Sequence, residues 1–150
     1  MVTMTHRLSS FAAAAVAVLA VAGALVSAPA PARASVCANI EVQNVHPDQG
    51  MLMLVAYTDA NSYNKTPIAA TQMRSGTATM IFPLCGLDGS TVALMLYQDL
   101  NGNGKLDRNV LGIPSEPWGA SGTPAAMSAP TWAATAVPLD GTTIVVKLSK

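Results

Sequence analysis

Beyond the first thirty-five residues, apolar and polar positions alternate in short runs, with turn formers between them. The alternation predicts strands at residues 39–45, 51–58, 68–73, 77–84, 91–98, 133–138 and 142–148. Pro47-Asp48-Gln49-Gly50, the polar run at 59–66 and Asp88-Gly89 are the breaks. Asp140-Gly141 between two apolar runs is a hairpin signal. In the last run Ile144, Val146 and Leu148 share one face, and Thr143, Val145 and Lys147 share the other. Met51, Met53, Val55 and Tyr57 share a face of the second run and are expected to fill the core. The run at 91–98 is the most apolar, which predicts a central strand. No segment after residue 35 repeats at the helical period. The expected fold is therefore all-β, a seven-stranded antiparallel β-sandwich. Residues 99–131 break the pattern: they are rich in Gly, Pro, Ala and Ser and read as one long loop.

The N-terminus follows different rules. Residues 11–26 are almost wholly apolar, and Ala32-Arg33-Ala34 follows Pro29 and Pro31. An apolar stretch too short for a usual membrane span, ending in an A-x-A motif, reads as a cleaved signal peptide over residues 1–34. Residues 35–150 then form a single exported domain, in the periplasm, the cell envelope or the medium, with no membrane span left. Export places Cys37 and Cys85, the only cysteines, in an oxidising compartment, where one disulfide is expected. Loop closure over that separation adds about 3–4 kcal/mol. After cleavage six basic side chains face eight acidic ones, a formal charge of −2 with no basic patch, which excludes a nucleic-acid partner.

The chemistry concentrates after the central strand. Asp99, Asn101, Asn103 and Asp107 occupy positions 1, 3, 5 and 9 of a calcium-loop pattern, and Gly104 stands at the turn position 6. Lys105 offers a backbone carbonyl at position 7. Position 12, normally a bidentate Glu, is Val110, so affinity should be weak, about 10⁻⁴–10⁻³ M. Asn109 or Glu116 completes the shell only if the loop folds back. The same residues also suit consecutive Asx-turns with no ion. No catalytic residues are assigned. His46 is the one histidine after residue 34, and no serine sits in a G-x-S-x-G elbow. Trp118 and Trp132 flank the loop, either pinning it to the sandwich or offering a contact surface.

The run Asp99, Asn101, Asn103, Gly104, Leu106, Asp107, Asn109, Gly112, Pro114, Glu116 resembles the signature of an exported bacterial family, domain of unknown function 2141. Ala129-Pro130-Thr131-Trp132 resembles that family's proline–aromatic approach to its penultimate strand. Gln98 stands where the family often has His, and Pro117 where it has Gly. The resemblance implies a transthyretin-like or prealbumin-like sandwich and brings no reaction with it. The combined expectation is a binding or structural module, its partner an envelope component or a small ligand. A small-ligand-binding or hydrolytic enzyme using polar groups beside the loop is the alternative.

Overall fold

The computed structural model describes residues 36–149, apart from Asp88, Ala126 and Met127. The signal peptide expected over residues 1–34 lies outside the described residues. Eight strands and one helical turn are present among the described residues: β1 (Val36–Gln43), β2 (Met51–Tyr57), β3 (Ala69–Arg74), β4 (Thr79–Leu87), β5 (Thr91–Asp99), β6 (Trp118–Ala120), α1 (Trp132–Thr135), β7 (Val137–Pro138) and β8 (Ile144–Lys147). They make two sheets. The smaller has the order β4-β1-β8; the larger has β3-β2-β5-β6, with β7 also paired to β5.

Alternation explains the core. Ala38, Ile40 and Val42 of β1, Phe82 and Leu84 of β4, and Ile144 and Val146 of β8 point inward from the smaller sheet. Leu52, Leu54 and Ala56 of β2 and Val92, Leu94 and Leu96 of β5 meet them from the larger one. Burying a side chain such as Leu94 completely is worth about 1.5–3 kcal/mol. Val145 and Lys147 are exposed while Ile144 and Val146 are buried, as the alternation requires.

β5 is central, with β2 along one edge and both β6 and β7 on the other. The disulfide joins Cys37 of β1 to Cys85 of β4, neighbours across the smaller sheet.

Several expectations need correction, the first being the strand count, which is eight among the described residues rather than seven. The sandwich is not wholly antiparallel, because β1 and β8 pair in parallel. Residues 137–138 and 144–147 do not form a hairpin; the 140–141 turn carries the chain from the larger sheet to the smaller one. Half of the strand expected at 133–138 is a helical turn, since the Thr135 N–H and hydroxyl both donate to the Thr131 carbonyl, at 3.1 and 2.8 Å. Met51, Met53 and Val55 are half-buried on the outer face, and Leu52, Leu54 and Ala56 fill the core instead. Both faces of β2 are apolar, so alternation alone does not say which turns inward.

Two buried polar side chains lock the connections. Gln98 continues the inward row of Val92, Leu94 and Leu96 and is fully buried. Its amide accepts the His46 N–H at 2.8 Å and donates to the His46 and Gln49 carbonyls at 2.7 and 2.6 Å, which holds the β1–β2 turn against β5. Ser121 Oγ accepts the Leu94 N–H at 2.9 Å and donates to the Thr135 carbonyl at 2.6 Å, tying α1 to the central strand.

Candidate functional site

Asp99 is the last residue of β5, and only 3 % of it is exposed. A buried carboxylate is costly unless its oxygens find donors. Here the next turn supplies them. Oδ1 accepts the Gly102 and Asn103 N–H groups at 2.8 and 3.1 Å, and Oδ2 accepts the Gly104 N–H at 2.7 Å. Asn101 Oδ1 then accepts the Asn103 N–H at 3.1 Å, and Asn103 Oδ1 accepts the Lys105 N–H at 2.8 Å. These are nested Asx-turns. Gly104 sits at φ +74°, a left-handed conformation suited to glycine. The Tyr97 hydroxyl donates to the Gly104 carbonyl at 2.9 Å.

Gly50 makes the close approach beneath this turn possible. A Cβ built there would overlap the Asp99 carbonyl oxygen. The β1–β2 turn and the base of the loop are therefore packed backbone to backbone.

The loop folds back on itself. Glu116 is 7 % exposed; its Oε1 accepts the Leu100 N–H at 2.9 Å and its Oε2 the Asp107 N–H at 3.0 Å. One carboxylate thus clamps the start of the loop to its middle. Beyond it, residues 107–115 form a narrow arm. The Ser115 N–H donates to the Asp107 carbonyl at 2.8 Å, Arg108 bridges to Pro114, and the Asn109 N–H donates to the Ile113 carbonyl at 2.9 Å. Asn109 Oδ1 is taken by the Leu111 and Ile113 N–H groups. The arm's tip exposes Val110 and most of Leu111. The 99–131 segment is not one unbroken loop, because β6 pairs with β5 within it.

The expected site residues separate into two groups. Asn101, Asn103 and Asp107 come together: the two amide nitrogens donate to the Asp107 carboxylate at 2.6–3.0 Å. Asp99 lies below them, its oxygens directed at the turn's N–H groups. Lys105 is exposed, and its N–H is used within the turn. Among the described residues, no three His, Cys, Asp or Glu side chains form a ready metal cage. Burial, then the charges of Asp99 and Glu116, raise the Tyr97 phenol above its ordinary pKa. The two tryptophans are both half-buried. Trp132 packs edge-on against Tyr63, whose ring packs edge-on against Tyr57.

Two residues, Gln98 and Glu116, carry roles that their spacing in the chain does not reveal. Gln98 stood only as a departure from a pattern; a polar side chain in an inward row of the most apolar strand was the available signal. Glu116 stood only as an optional ligand, and its part in clamping the loop depends on contacts that spacing does not reveal.

A two-sheet β domain with a long Asp/Asn-built loop leaving its central strand is the class defined by this fold and site. The chain belongs to the bacterial family described as "Uncharacterized protein conserved in bacteria (DUF2141)", whose model matches residues 40–147. No curated protein and no solved structure matches the chain.

Proposed function

We propose that the chain is an exported, envelope-located sandwich of the prealbumin-like kind, acting as a binding or structural module, and that its 99–116 loop takes calcium weakly. The observation that carries the reading is the convergence of Asn101 and Asn103 on the Asp107 carboxylate within hydrogen-bonding distance, directly above the turn organised by Asp99. Carboxylate, amide and carbonyl oxygens are the hard donors calcium prefers. Asp99, Asn101, Asn103, Lys105 and Asp107 would supply them. The residues suit the ion in type and spacing, on two conditions: the Asn101 and Asn103 amides must present oxygen where they now present nitrogen, and the Asp99 carboxylate must offer a lone pair beyond the three N–H groups it accepts. Val110 lies out in solvent at the position of the usual twelfth ligand, and Glu116 is engaged as a clamp. Two acids rather than three or four keep the affinity low, at about 10⁻⁴–10⁻³ M.

Calorimetry and thermal melting in calcium or chelator test the reading. A ligand that binds only the folded state adds RT ln(1 + [L]/Kd), about 1.4 kcal/mol at tenfold saturation. Asp107→Ala should abolish that increment. Absence of both heat and a melting shift at millimolar calcium would remove the ion from the proposal. Export is tested separately: protein recovered from the envelope should begin at Ser35 by mass.

A further inference from the structure

The outer face of the larger sheet is covered unevenly. At one end Tyr63 and Trp132 lie over Tyr57 and Ala93. Elsewhere a groove of about 520 Å³ remains. Met95 and Trp118 line it from the sheet, Leu106, Ile113 and Pro114 from the arm, and Pro130 from the segment before α1. The volume falls within the range of small-molecule sites, which are mostly apolar with a few placed polar groups. Among the described residues Arg108 is the one charged side chain in the lining, accompanied by Asn64 and Ser128.

Arg108 is placed by the arm. Its Nη1 donates to the Gly112 carbonyl at 2.8 Å, across a turn already closed by Asn109. A guanidinium has five donors, and one hydrogen bond leaves others for a carboxylate. The nearby acids do not compete for it: Asp107 receives the Asn101 and Asn103 amides, and Glu116 receives the Leu100 and Asp107 N–H groups. The arm's backbone bonds hold the apolar wall, and the Gly112 carbonyl orients the exposed cation beside it, which lowers the ordering cost of binding.

We propose that this groove binds a small amphipathic anion, its apolar body against Met95 and Trp118 and its carboxylate at Arg108. The inference stands apart from the calcium reading, and the experiment is run in chelator so that the two can fail separately.

Decanoate and its uncharged counterpart decanol are the probes, titrated below their aggregation limits by calorimetry. Trp118 fluorescence is followed in parallel in Trp132→Phe, where it is the only tryptophan. Decanoate should bind saturably and shift the Trp118 emission. Decanol and Arg108→Ala should each weaken binding about tenfold or more, as loss of a charged hydrogen bond implies. Ile113→Asp, at a half-exposed wall position, should abolish binding without changing the circular dichroism.

Three results would overturn the proposal: no saturable decanoate binding, binding indifferent to Arg108→Ala and to the loss of charge, or binding only to anionic phosphatidylglycerol vesicles. A ligand-free dimer dispersed by Ile113→Asp would also overturn it, since a second copy would then fill the groove.

Discussion

The two-sheet core and the 99–116 loop lie side by side along β5, yet different forces hold them. Val92, Leu94 and Leu96 make the core by removing apolar surface from water, in contact with residues from both sheets. The loop has almost no apolar interior. Asp99 and Glu116 hold it by accepting backbone N–H groups. Burial is non-directional and shared, so its loss spreads; a carboxylate clamp is directional, so its loss stays near the bonds it made. The core therefore sets whether the chain folds, and the loop sets the shape of one end of a molecule already folded.

The largest break in that comparison comes from the core. Leu94→Ala removes a fully buried side chain from the central strand and should cost about 2–5 kcal/mol. Chemical denaturation should show the loss with the loop's calcium response retained in the folded fraction. A drop below 1 kcal/mol would mean the sheets collapse freely into the gap.

Gln98→Leu tests the boundary between the regions. The substitution keeps the bulk and suits the apolar row but leaves the His46 N–H and carbonyl without a partner and removes one of the donors to the Gln49 carbonyl. The Gln49 carbonyl keeps the Ser75 hydroxyl, so two groups are left unpaired; at a half-buried residue the lower half of the usual range of about 1–3 kcal/mol per group applies, a total loss of about 2–4 kcal/mol. If stability is unchanged, water has replaced the amide and the β1–β2 turn is not locked by it.

Glu116→Gln is smaller and sharper. An amide has one acceptor oxygen, so either the Leu100 or the Asp107 N–H must lose its partner. The cost should be about 1–2 kcal/mol. Hydrogen exchange should accelerate at Leu100, Asp107 and the arm while β1 and β4 keep their protection. Uniform acceleration would show that the loop and core unfold as one unit, and the distinction drawn between them would fail.

The same division decides what was legible in the chain. β5 and β8 could be read as strands because their inward faces are apolar, which is a local property of each run. β6 could not: three residues, Trp118-Gly119-Ala120, carry no alternation, and pairing with β5 makes them a strand. The parallel β1–β8 pairing and the sheet change at Asp140-Gly141 depend on where distant strands lie, which a local turn signal does not encode. In the loop, the Asx-turns followed from spacing because each spans only a few residues. The Glu116 clamp reaches back sixteen residues to Leu100, and only the folded loop brings them together.

The smallest expected effect comes from a turn that belongs to neither region. Asp140 Oδ1 accepts the Thr142 hydroxyl at 2.6 Å and the Thr142 N–H at 3.0 Å, and these bonds hold its pKa below the ordinary aspartate value. A carboxylate depressed in the folded state stabilises above its unfolded value of about 3.9, and the contribution fades as pH falls through the folded value. The side chain is fully exposed, so solvent screens most of the effect. Asp140→Asn should therefore leave neutral-pH stability nearly unchanged and slightly flatten its decline below about pH 4. Asp59, bonded in the same way to Ser62, serves as the internal comparison, since its acid sensitivity should persist in that variant. A large loss at neutral pH in Asp140→Asn would show that the sheet-to-sheet crossing, although exposed, helps set the parallel register of β8 on β1.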